Sequence, residues 1–523
     1  MKTYKIIFYL VLLVAFHSCT EDLEPTPPDF TSDELFFSNP DNFEAGLNGI
    51  YDALQSNGIF GRMPILLDGV SDNGLAHFSS VGDIESFGDG TITPEVNNVI
   101  ESAYQGPYVV IQRANSLLVN MIGADKGTLS QEKFNNIIAQ ARVLRALAYK
   151  RLVYLFGGVP LYTTPLGINT SIEISRATRE EVISFILTEL SEAAQQLSTA
   201  PLDGVAGRVT KQAALALHAQ TMVYEARLGN QSWNDALTSV TNAKNTAESA
   251  GAILVTSGNG NDGLANYNAV FNENNEDNNE LLFYIKYDFD IDNGTNIQSN
   301  FSVVAGTLYM SAHTNLANDF YTTDGLSITN PQSIYNASTP YLNRDPRLNA
   351  SLVVPGDLFS DGESLNPFEG QGSNSNLLTD FSIRKFTTLN NDVELNRGGL
   401  DIPVMRYAEV LLLFAEAENQ VNGPTTNAYN AINALRKRVN IADVTTGLSK
   451  DAFNDEVIHE RRVELAFEGK RWFDLITLGI ANETINGINE GLGRSFTPNK
   501  QELFPIPKVE VDRNSNLTQN PGY

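Results

Sequence analysis

The chain has 523 residues, 42% hydrophobic and 19% charged, which supplies a large packed core and excludes global disorder. A balance of 62 acidic against 35 basic side chains gives a formal net charge of −27, a field that repels nucleic acid and strongly acidic polysaccharides. The single cysteine, Cys19, excludes an intrachain disulfide and a thiolate zinc site, and the five histidines (His17, His77, His218, His313, His459) show no metal-ligand spacing.

Lys2 and Lys5 open the chain, and an apolar run of 11 residues follows, Ile6–Phe16. A bilayer-spanning helix needs roughly 20 apolar residues, so residues 1–18 read as a signal peptide. Ser18 directly before Cys19 resembles a lipoprotein processing site, with Cys19 as the lipidated N-terminus; the alternative is plain secretion with an incidental cysteine. Residues 19–29 then form an acidic, proline-stiffened tether, with Glu21, Asp22 and Glu24 ahead of Pro25, Pro27 and Pro28.

Helical periodicity begins at Glu132–Phe156, where Phe134, Ile137, Ile138, Ala141, Leu144, Ala148, Leu152 and Leu155 recur every three or four positions. Gly157-Gly158 and Pro160 end that helix. Thr178 and Glu181 form a capping box for the next, Thr178–Leu197. Lys211–Arg227 with Trp233–Ala247, and Arg406–Val421 with Thr426–Arg438, each predict a helix hairpin with a short loop. Alanines such as Ala213, Ala216, Ala415 and Ala428 permit close helix approach, in the manner of tetratricopeptide-like repeats. Between them, residues 251–400 are rich in Asn, Gly, Ser and Asp and predict loops with short strands, for instance within Glu280–Tyr287.

Several motifs in one order resemble the SusD/RagB family. They are Ala141-Arg142-Val143-Leu144-Arg145-Ala146, Phe156-Gly157-Gly158-Val159-Pro160-Leu161, Asn343-Arg344-Asp345-Pro346-Arg347-Leu348, Pro403-Val404-Met405-Arg406-Tyr407-Ala408-Glu409, Glu460 through Leu475, and Leu503-Phe504-Pro505-Ile506-Pro507. The resemblance runs from near residue 30 to Tyr523. It implies a mostly α fold of about four tetratricopeptide-like helix pairs, with a scaffold over 30–250 and 401–480 and a loop-rich ligand-binding insert over 251–400, all in one domain, 30–523. It also implies a non-enzymatic, cell-surface lipoprotein of the outer membrane that binds glycan fragments, or alternatively peptide, and delivers them to a SusC-like TonB-dependent transporter.

Sugar binding calls for aromatic faces and polar groups, and the resemblance directs attention to Asp68–Asp89 and to the insert. The candidate ligand residues are Asp72, Asn73, Phe78, Phe87, Tyr287 and Tyr309. Both tryptophans, Trp233 and Trp472, fall on predicted scaffold helices. No catalytic residue and no cofactor is expected. Asp288, Asp290 and Asp292 fit the first half of a calcium loop, but Asn293 stands where that loop needs glycine and Ser299 where it needs glutamate, so an acidic turn is the expectation. Glu460, Glu464 and Glu468 at spacings of four predict one helix face, and with Arg406, Glu409, Arg461, Arg462 and Arg471 they read as a structural ion network, with Glu468 and Arg471 paired. Two competing functions are a glycoside hydrolase, which would need two opposed carboxyls in one cleft, and a helical-repeat scaffold that binds only protein.

Overall fold

Capping chemistry sets the helix boundaries in the computed structural model, which describes residues 33–76, 82–96, 98–167, 173–258, 260–290, 295–297, 310–357, 379–386, 399–491 and 493–523. The expected signal peptide and tether, with Cys19, lie outside these residues. The long helices are α1 (Asn42–Leu54), α2 (Val99–Met121), α3 (Gln131–Phe156), α4 (Arg179–Gln196), α5 (Lys211–Arg227), α6 (Trp233–Ser249), α7 (Tyr407–Asn422), α8 (Thr426–Arg438) and α9 (Lys450–Glu464). Ser130 Oγ accepts the Lys133 N–H at 3.1 Å to start α3. The box that begins α4 is reciprocal: Thr178 Oγ1 accepts from the Glu181 N–H at 3.2 Å, and the Glu181 carboxylate accepts from the Thr178 N–H at 2.8 Å. Gly157, at φ 74°, ends α3 in a conformation that disfavours a side chain.

Each long helix from α1 to α7 packs on the next, and α7 also packs on α8 and α9. This is the expected scaffold of helix pairs, α1–α2, α3–α4, α5–α6 and α7–α8. α5 is buried on nearly every side, and Ala213, Ala214, Ala216 and Ala219 have no exposure, which lets its neighbours approach closely. α6 and α7 touch although residues 250–406 separate them, so the insert leaves and re-enters the scaffold at one helix seam.

The strands are short: β1 (Gly74–Ala76), β2 (Leu281–Ile285), β3 (Asp288–Asp290), β4 (Thr295–Ile297), β5 (Met310–Ala312), β6 (Leu352–Val353), β7 (Phe381–Ile383) and β8 (Ile402–Arg406). They form an antiparallel sheet in the order β1-β5-β7-β6 and two strand pairs, β2-β8 and β3-β4. The candidate calcium loop is therefore flanked by a β-hairpin, with Asp288 opposite Ile297, and not by helices; residues 291–294 lie outside the described residues.

Directional charge contacts lock the insert to the scaffold. Arg406, at the junction of β8 and α7, reaches Glu280 at 2.5 Å, Glu464 at 3.1 Å and Glu468 at 2.7 Å. Arg438 on α8 holds Glu280 at 3.0 Å and Glu464 at 2.5 Å. Arg347 joins Asp345, Glu460 and Glu464, and Lys385 meets Glu468 at 2.6 Å. All of these side chains are buried. Burial acts to raise the Glu464 carboxyl, but Arg438, Arg406 and Arg347 outweigh it and hold the group well below the usual carboxylate range.

The expected network is thus present, with two corrections. α9 stops at Glu464, so Glu468 does not share its face; the chain turns through Phe467 at φ 63° and Gly469 at φ 69°, and the turn carries Glu468 back to Arg406. At Gly469 a Cβ would lie 2.6 Å from Pro64 Cα, so the turn requires glycine. Arg471 pairs with Asp72 and not with Glu468.

Glu464→Gln leaves three buried guanidiniums short of a carboxylate, and a loss of about 3–5 kcal/mol in denaturant unfolding is expected. Breaking the exposed Lys508–Asp512 pair with Asp512→Asn should leave the unfolding midpoint where it is.

Candidate functional site

Antiparallel pairing of β1 and β5 sets Ala76 opposite Met310 and Gly74 opposite Ala312. Phe78 follows Ala76 by two residues and Tyr309 precedes Met310 by one. The register therefore sets Ala76 and Met310, the described residues nearest two predicted ligand aromatics, at one end of one strand pair. Phe78 and Tyr309 lie outside the described residues; what the structure gives is the base formed by β1 and β5.

That base is held from below by arginines. Arg471 engages Asp72 through two hydrogen bonds, Nε to Oδ1 at 2.8 Å and Nη2 to Oδ2 at 2.9 Å. Arg462 donates to Asn73 Oδ1 and to the Asp72 carbonyl, each at 2.9 Å. Arg494 donates to the carbonyls of Gly69 and Gly74. Across the strands, the His313 N–H donates to the Asn73 carbonyl at 2.9 Å. The buried His313 ring has Nδ1 3.5 Å from Glu490, which also accepts the Thr314 N–H at 2.8 Å.

These contacts reassign four of the predicted ligand residues. Asp72 and Asn73 are fully buried, and their polar atoms bind Arg471, Arg462 and Asp68. For Asp72, burial acts to raise the carboxyl, yet Arg462 and Arg471 prevail and hold it well below the usual range. Phe87 is 1% exposed and meets Trp472 and Phe504 edge-on, at centroid distances of 5.4 and 4.5 Å, so it belongs to the core and offers no stacking face. Tyr287 is 4% exposed, and its N–H donates to Asp401 Oδ1 at 2.8 Å beside β8. The sequence reading missed Arg494, His313 and Glu490, which sit in irregular segments without periodicity. The signal at Glu490 and Arg494 was polar residues set among glycines, at Gly491 and Gly493, and His313 carried none.

Among the described residues no group of three His, Cys, Asp or Glu side chains is placed to hold a metal, and no helix is long and apolar enough to cross a membrane.

The architecture has counterparts among known proteins. Residues 279–523 match the model of the SusD family, and residues 29–223 match a model described as starch-binding, associating with outer membrane. The chain belongs to the SusD/RagB family. A SusD-like protein of Formosa agariphila is 26% identical over the whole of both chains. The starch-binding protein SusD of Bacteroides thetaiotaomicron is 34% identical over 129 residues, 24% of this chain and 22% of that one. A SusD-like crystal structure from Bacteroides fragilis superposes with a TM-score of 0.77 at 22% identity, covering 94% of this chain and 99% of the other. A laminarin-binding SusD-like protein superposes at 0.69 with 23% identity, covering 92% and 99%.

In this SusD-family chain the base of the site also contains a titrating group. Asp68 accepts hydrogen bonds from Asn73 Nδ2 at 2.7 Å and from the N–H groups of Phe467 at 3.3 Å and Gly469 at 2.9 Å. Burial outweighs these contacts and pushes its carboxyl from 3.8 up to about 7. Between those values the folded state keeps a proton that the unfolded chain has lost. The stabilisation is complete below 3.8 and is lost as pH rises through 7. Asp68→Asn removes this dependence. Its stability relative to the parent should climb between pH 4 and 7 by up to about 1.4 kcal/mol per unit, read by denaturant unfolding at each pH, whereas a flat difference would exclude the assignment.

Proposed function

We propose that this protein is a cell-surface lipoprotein that captures neutral oligosaccharides and passes them, chemically unchanged, to a SusC-like TonB-dependent transporter in the outer membrane. The observation that supports the reading is the β1–β5 register, which sets Ala76 opposite Met310 at one end of a sheet anchored by Arg462, Arg471 and Arg494. Aromatic faces suit the C–H-rich faces of sugars, and a rigid base lowers the ordering cost of a binding loop. Relatives named for binding starch and laminarin support a glycan as ligand. The net charge of −27 favours a neutral glycan over a sulfated or uronic one.

A binding role without catalysis is supported by the fate of the carboxylates. Glu460, Glu464, Glu468 and Asp474 each face a guanidinium in the interior. A glycosidase needs two carboxyls opposed across a substrate bond. Attachment through a lipid on Cys19 agrees with the outer-membrane description of the matched family model.

Calorimetry of residues 20–523 against laminari- and malto-oligosaccharides, with sulfated and uronic sugars as controls, tests the reading. Neutral sugars should bind and be recovered intact by chromatography; cleavage, or binding of acidic sugars alone, would refute it. Phe78→Ala and Tyr309→Ala should each weaken binding about 3- to 10-fold with little change in stability. Phe87→Ala should instead lower stability by about 3–5 kcal/mol, as loss of a core ring does. Cys19→Ser should move the protein from the membrane to the soluble fraction on cell fractionation.

A further inference from the structure

Beneath the helix seam lies a cavity of about 50 Å³ between α3, α5, β8 and the turn at Gly469. Lys150 and Arg151 of α3 and Tyr224 of α5 line it, and all three are more than nine-tenths buried. Neither cation has a carboxylate partner among the described residues. Lys150 donates to Gln220 Oε1, and Arg151 donates from Nη2 to the Ile59 carbonyl at 3.2 Å. Arg151 Nε and the Tyr224 hydroxyl have no hydrogen-bond partner.

The nearby carboxylates are already engaged. Glu409 is held by Lys470 at 2.9 Å and by Arg461, and it also accepts from Gln220 at 2.5 Å. Glu468 is held by Arg406 and Lys385, and Glu225 by Arg179 at 2.6 Å. The cavity wall therefore carries two cations without a carboxylate partner, Lys150 over the Tyr154 and Tyr224 rings and Arg151 over the Phe60 ring, and its unbonded groups, Arg151 Nε and the Tyr224 hydroxyl, can both donate. A water molecule occupies at least about 10–15 Å³ on this measure, so the space admits a small ion with a few waters and is far too small for a sugar. Water placed there would have to find acceptors for its own protons, whereas an anion only accepts.

We propose that this cavity binds a single halide-sized inorganic anion, held by Lys150, Arg151 and the Tyr224 hydroxyl, which ties α3 to α5 and to the turn that carries Glu468. Burial, reinforced by Lys470, brings the Lys150 ammonium down to about 7, and an adjacent anion keeps it protonated. The site lies in the scaffold interior and is independent of the glycan reading.

Bromide is the probe. Crystals of residues 20–523 soaked in sodium bromide should show an anomalous peak in the cavity. Thermal unfolding in bromide should occur a few degrees higher than in gluconate at equal ionic strength, because binding to the folded state alone stabilises it. Lys150→Met should abolish that increment and raise the midpoint in gluconate, since it removes an uncompensated buried charge. Water alone in the cavity would overturn the proposal, as would a bromide increment that survives in Lys150→Met. A peak without stabilisation means an adventitious ion only and also overturns it. If Lys150→Met does not fold, the peak and the bromide increment of the parent chain decide.

Discussion

Arg406 is fixed where β8 becomes α7, with its guanidinium buried, and much of the surrounding structure answers to that charge. A buried cation is tolerated only where carboxylates meet it with good geometry. The three that do so come from separate places: Glu280 at the entry to β2, Glu464 at the end of α9, and Glu468 on the turn beyond it. Satisfying one side chain therefore fixes the insert, the C-terminal helices and the turn relative to one another. Arg438 and Arg347 share the same carboxylates, so each contact limits the freedom of the next.

Such a device suits a half-molecule with little regular structure. In the helical scaffold, alternating apolar faces determine which surfaces meet. In the insert the strands are two to five residues long, and β2 meets β8 with register shifts, so hydrophobic patterning alone specifies little. Hydrogen-bonded pairs between guanidinium and carboxylate are directional and reject a neighbouring register. Their net contribution to stability is small compared with well-packed apolar side chains, and what they add is position. The same logic holds at β1, where Arg471 and Arg462 grip Asp72 and Asn73 just ahead of the strand and so position it.

The scaffold was legible in the sequence because its signals are local. Thr178 and Glu181 lie three positions apart and interact as that spacing predicts, and α5 and α8 have the bounds that periodicity assigns. The site was harder to read, for a physical reason. Asp72 and Asn73 carry the polar groups of a sugar-binding loop, but what they bind is set by arginines 399 and 389 positions away. Phe87 is a residue type suited to a sugar face, but Gly82–Gly88 is a short helix that turns the ring onto Trp472. The partnership of Ala76 with Met310 has no local signature either. Sequence pattern identifies residue types suited to a ligand, while long-range pairing decides which of them remain available for one.

Availability also explains how so much charge can coexist with a binding role. Many interior arginines and carboxylates come in matched sets, such as Arg227 with Glu416 and Asp474, or Lys470 and Arg461 with Glu409, while Arg151 and Arg494 meet backbone carbonyls instead. Matched sets largely cancel their own field, and the acidic excess falls on side chains outside them. A neutral sugar, as proposed above, is indifferent to that excess, since stacking and hydrogen bonding need no net charge. A polyanion would meet repulsion before reaching any aromatic surface. For the neutral glycan proposed above, this distribution of charge would act as a first filter on ligand class, ahead of any direct contact.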